Sequence, residues 1–102
     1  MWTITGLKQK GASIVNKVLK HKQICEELNR IYEAKNHDYG DSFGETYEKL
    51  GIISAVTRIV DKTNRLQTLC TRKQKVDESI RDTLIDLANY SIMTVIELDK
   101  GD

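Results

Sequence analysis

The sequence predicts an all-α protein, a small antiparallel helical bundle, and three observations carry that prediction. Its 102 residues contain no proline, and the six glycines leave 12–39 and 52–100 free of both helix breakers. Apolar residues recur at steps of three and four through both stretches. With 30% charged and 39% hydrophobic residues, the composition suits a globular chain of amphipathic helices. A chain of this length supports one core, so a single domain over 1–102 is expected.

The first helix is expected over about 12–35, where Val18, Cys25, Leu28 and Tyr32 form one apolar stripe. Its polar side opens basic, with Lys8, Lys10, Lys17, Lys20 and Lys22 ahead of the first acid, Glu26, and the change of character near 20–23 is a candidate break into two helices. Residues 36–44 hold two glycines, two aspartates, an asparagine and a serine, the chemistry of a loop. A short helix over 45–50 precedes Gly51. Ile52, Ile53, Val56, Ile59, Val60, Leu66, Leu69 and Cys70 then give a second buried stripe over about 52–70. The polar, basic run 71–76 reads as a connection. Asp77 is a suitable N-cap for the last helix, with Glu78 in its first turn. Ile80, Leu84, Leu87, Ala88, Ser91, Val95 and Leu98 are its expected buried stripe, to about 99. Ile92, Met93 and Ile96 widen that apolar surface, a surplus that suggests a homo-oligomer unless the N-terminal segment covers it.

No apolar run approaches the ~20 residues of a membrane span, which rules out a transmembrane protein, and no membrane partner is expected. Basic residues at 8, 10 and 17 interrupt any secretory hydrophobic stretch, so the expected compartment is the cytoplasm. Cys25 and Cys70 belong to no CxxC pair and are expected as reduced core residues. There is no internal repeat and no low-complexity tract.

A net charge of +1 argues against a nucleic-acid partner, but it is the sum of separated patches. Eight of the fifteen acids lie in 38–48 and 77–86. Glu45 and Glu48 share a helix face, and Glu78, Asp82 and Asp86 repeat every four residues, with Asn89 one step further. Such like-charge rows repel unless a divalent cation or a cationic partner relieves them. Glu45, Glu48, Asp82 and Asp86 are therefore candidate ligands for Mg²⁺, which favours oxygen donors; a solvated face is the plainer reading. Arg58, Lys62 and Arg65 line one side of the middle helix and are candidate phosphate ligands; intrahelical ion pairs are the alternative. Opposed basic and acidic rows would together suit a nucleoside polyphosphate. Asp38, Tyr39, Phe43 and Asn89 are further candidate nucleotide contacts, the two aromatics by stacking on a base or by anchoring the loop on the core. His37 is more readily a solvated loop residue than a proton carrier. No GxGxxG, P-loop, HExxH or Ser-His-Asp signature is present.

The runs Lys35-Asn-His-Asp-Tyr-Gly-Asp-Ser-Phe43, Arg58-Ile-Val-Asp-Lys-Thr-Asn-Arg-Leu66 and Glu78-Ser-Ile-Arg-Asp-Thr-Leu-Ile-Asp-Leu-Ala-Asn-Tyr90 resemble, in order, three blocks of the nucleotide modification associated domain 1 family. That resemblance covers about 31–98, leaving 1–30 as an N-terminal helical extension. It implies a compact helical protein of phages and prophages, working in the bacterial cytoplasm. A weaker similarity, through Glu45-Thr-Tyr-Glu48 and Asp82-Thr-Leu-Ile-Asp86, is to MazG-like all-α nucleoside triphosphate pyrophosphatases, and it implies Mg²⁺ on those two acidic pairs. Two functions are expected from these resemblances. One is a Mg²⁺-dependent nucleoside polyphosphate hydrolase; the other is a non-catalytic sink that sequesters a nucleotide signal used in host defence.

Overall fold

The structure is a computed structural model that describes residues 11–72 and 76–101, with the side chains of 16–72 and 79–101. All the regular structure among the described residues is helical: α1 (Gly11–Tyr39), α2 (Ser42–Leu50), α3 (Ile52–Cys70) and α4 (Val76–Lys100). The chain divides into two compact units, Met1–Ala34 and Lys35–Asp102, with the boundary inside α1. In the first unit α1 runs without interruption through 20–23, so the change of polar face there is not a break. Leu28 is buried, and Ile24, Ile31 and Tyr32 are half-buried.

The region expected as a loop over 36–44 is mostly helix, because its turn chemistry acts at two points only. Gly40 takes φ +73°, the left-handed conformation that ends a helix, and its N–H donates to the Asn36 carbonyl at 2.8 Å. Asp41 then caps α2: its carboxylate accepts from the Gly44 N–H at 3.1 Å. Gly44 is buried beneath that carboxylate, and a Cβ there would stand 2.8 Å from the Asp41 carboxyl carbon. Gly51 joins α2 to α3 at φ +78°, ψ −167°, a region open essentially to glycine alone. The expected bounds of α3 hold, and α4 runs to Lys100. α4 begins at Val76, one residue before the cap expected at Asp77, and the side chains of Asp77 and Glu78 lie outside the described residues.

Within Lys35–Asp102, α3 packs mainly on α4, and α2 rests on both. The partners along the seam give its direction: Arg65 meets Thr83, Lys62 meets Asp86 and Arg58 meets Tyr90, so α3 and α4 are antiparallel. This seam is polar. Thr83, Thr94 and Glu97 are buried on α4, whereas Ala55 is the one buried apolar residue of this unit among those described. The two buried threonines are satisfied within their own helix, donating to the carbonyls of Ser79 and Tyr90 at 2.7 Å each. No buried side-chain polar atom among the described residues lacks a partner.

The expected core stripes are therefore corrected. On α3, Ile52, Ile53, Val56, Val60 and Cys70 are exposed, and Ile59, Leu66 and Leu69 are half-buried. On α4, Leu84, Ser91, Val95 and Leu98 are exposed, while Ile80, Leu87 and Ala88 are half-buried. The stripes are real, but the side that α4 turns inward, through Thr83, Asp86, Tyr90, Thr94 and Glu97, lies about 100° around the helix from its expected stripe. Both cysteines are free, as expected, yet exposed rather than in the core, because each sits on a side of its helix that its own unit leaves open. No described helix is long and apolar enough to cross a membrane.

Candidate functional site

Four helices of the second unit contribute to one cluster of charged and aromatic side chains. Arg58 and Lys62 stand one turn apart on α3, and Asp86 and Tyr90 one turn apart on α4, so each pair projects from a single helix face. The last turn of α1 brings Lys35, and the capped start of α2 brings Phe43. Asp86 is the hub of the charges: Lys62 Nζ lies 3.2 Å from one carboxylate oxygen and Lys35 Nζ 3.8 Å from the other. Lys62 and Asp86 are partly buried, so water screens their attraction less than it would a fully exposed pair.

Tyr90 is the hub of the aromatic half. Its ring stacks with Phe43 at 5.9 Å between centroids and 27° between planes. The Arg58 guanidinium carbon is 5.9 Å from the ring centroid and Lys62 Nζ 6.0 Å, within cation–π range. One turn away, Arg65 Nε donates to the Thr83 hydroxyl at 3.2 Å. Lys35, Arg58, Lys62 and Arg65 thus bring four positive charges to the one negative charge of Asp86. Ammonium and guanidinium groups held in this way attract phosphate oxygens, Arg by a two-pronged fork and Lys as a point charge.

The expected nucleotide contacts are brought together only in part. Arg58, Lys62 and Phe43 meet at Tyr90. Arg65 sits beside them on Thr83, and Asn89 is half-buried on α4. Tyr39 is 76% exposed at the end of α1, and Asp38 turns to His37, whose Nδ1 lies 3.3 Å from its carboxylate. Neither Tyr39 nor Asp38 touches the aromatic pair.

The four expected metal ligands are not gathered. Glu45, Glu48 and Asp82 are exposed, and Asp86 has both oxygens engaged by lysines. No group of three or more His, Cys, Asp or Glu side chains among the described residues stands close enough to hold a metal ion. The physical reason is that Lys35 and Lys62 already relieve the charge on Asp86 that a cation was expected to relieve.

Sequence reasoning passed over Lys35, Thr83 and Tyr90 as site residues. The four-residue spacing from Asp86 to Tyr90 and from Arg58 to Lys62 was the available signal, since it predicts two facing pairs on adjacent helices. At the far end of α4, buried Glu97 accepts a hydrogen bond from Lys100 at 3.2 Å. That bond, with smaller attraction from Glu48 and Asp41, raises the Lys100 ammonium above its ordinary pKa of 10.5.

A family profile described as nucleotide modification associated domain 1 matches residues 35–98, which takes in every member of this cluster. No curated protein and no solved structure matches the chain.

Proposed function

The chain belongs to the nucleotide modification associated domain 1 family, and from that premise we propose that it binds a nucleotide or nucleotide-derived anion at the Asp86–Tyr90 cluster. The gathering of Lys35, Arg58 and Lys62 around one carboxylate and one aromatic pair carries this reading. Arg58 and Lys62 hold phosphate oxygens, Lys35 and Arg65 add attraction at the rim, and Asp86 keeps the two lysines in place. Phe43 and Tyr90 supply the apolar surface against which a base lies. The protein acts by holding its ligand, as a phage-encoded sink for a nucleotide signal would. Hydrolysis is the second reading, and Glu45, Glu48, Asp82 and Asp86 would be its metal ligands.

Calorimetry with a panel of linear and cyclic nucleotides, with and without Mg²⁺, followed by chromatography of the mixtures, tests this. Saturable binding, ligand released unchanged on denaturation, and about tenfold weaker binding for Arg58→Ala support the proposal. Metal-dependent product that is lost in Asp82→Asn moves the assignment to the hydrolase. No binding by any nucleotide overturns both.

A further inference from the structure

Along the seam of α3 and α4 each cation of the middle helix has its own anchor. Arg58 lies over Tyr90, Lys62 on Asp86 and Arg65 on Thr83. Arg58 and Arg65 are seven residues apart on α3, and so are Tyr90 and Thr83 on α4; at 1.5 Å per residue each separation is about 10.5 Å along its helix. The antiparallel pairing therefore holds the two guanidinium groups about two turns apart, with Lys62 between them.

Thr83 fixes the last cation of the row. It is 2% exposed and donates its one hydroxyl proton to the Ser79 carbonyl at 2.7 Å, so toward Arg65 its oxygen acts only as an acceptor. Arg65 Nε donates to that oxygen at 3.2 Å. The bond takes the Nε edge of the guanidinium and turns the terminal nitrogens, the pair that forks onto a phosphate, away from Thr83. Arg65 itself is exposed, so a buried hydroxyl aims a cation that a ligand can reach.

Resting on the reading of this cluster as a nucleotide site, we propose that its ligand is a nucleoside triphosphate laid along the seam, and that Arg65, positioned by Thr83, recognises the terminal phosphate. The base belongs at the Arg58 end, where Phe43 and Tyr90 stack. A phosphate next to that base meets Arg58 and Lys62, and a nucleoside monophosphate, linear or cyclic, ends there. A chain of phosphates continues past Lys62 to Arg65, and three cations in succession suit three phosphates. A dinucleotide also carries phosphates well apart, but it brings a second base to a cluster that offers one aromatic pair.

Calorimetry of the whole chain in metal-free buffer, with the mono-, di- and triphosphates of the four ribonucleosides and with cyclic di-adenosine monophosphate, tests the proposal. For the preferred base, the triphosphate should bind about tenfold tighter than the monophosphate, with the diphosphate between them. Arg65→Ala should bring that ratio to within about twofold. Thr83→Val removes the acceptor and should lower the ratio about fivefold, while Thr83→Ser keeps it. Arg65→Lys keeps the charge, cannot donate from Nε, and should lower the ratio as Thr83→Val does; it decides if Thr83→Val does not fold. A merely structural Thr83 would weaken all three phosphates alike, so an unchanged ratio in Thr83→Val and Arg65→Lys overturns the positioning role. Mono- and triphosphates bound alike, or the cyclic dinucleotide bound tighter than any triphosphate, overturn the ligand class while the site itself stands. No binding by any of these compounds removes the site and this inference together.

Discussion

Asp86 shows how one residue's chemistry depends on its neighbours. In the sequence it is one carboxylate of an acidic row, and metal ligation is a reasonable expectation for it; in the fold it anchors Lys35 and Lys62. Asp86→Asn separates these roles. As an anchor, its loss should cost about 1 kcal/mol or less in urea unfolding and weaken nucleotide binding with or without Mg²⁺, because Lys35 and Lys62 lose the carboxylate that places them. A metal ligand would instead take metal-dependent turnover with it. Lys100 gives a pH prediction. Its ammonium is favoured in the folded state by the bond to Glu97, so the stabilisation is complete below pH 10.5 and is lost as pH rises through the raised folded value. Wild type should therefore lose stability relative to Lys100→Met above pH 10.5; parallel curves across that range would remove the Glu97 bond as the cause.

At the scale of elements, glycines and one cap decide where helices stop. Gly51→Ala should destabilise by about 1–3 kcal/mol in urea unfolding, since φ +78° with ψ −167° admits no Cβ without strain. Asp41→Ala removes the α2 cap and should cost about 1 kcal/mol, with faster amide exchange confined to the first turn of α2. Unchanged exchange at Gly44 would show that the cap does not hold α2. Helix identity was legible in the sequence because apolar period and breaker spacing are local properties, and α3 came out with its expected ends. The region 36–44 was not, because its polar residues act as a helix end at Gly40 and a cap at Asp41 while the positions between and beyond them stay helical. The row Arg58–Lys62 was legible as a basic face; its meeting with Asp86 and Tyr90 required knowing that α3 and α4 pack antiparallel in that register.

For the whole molecule, the cationic cluster is the surface most sensitive to salt. Raising ionic strength from 50 to 500 mM should weaken nucleotide binding, because mobile ions screen the cations. Titrations followed by calorimetry check this, and binding indifferent to salt would contradict the assignment of the cluster. The sequence by itself determined that this protein is helical, where its apolar stripes run and that its near-neutral charge is divided into patches, because each follows from which residues stand three and four positions apart. Only the tertiary structure decided which side of α4 faces inward and which acid meets which cation. Periodicity shows that a helix has an apolar side. It does not say whether that side is buried by the helix's own chain, and the polar seam of α3 and α4 left it outside.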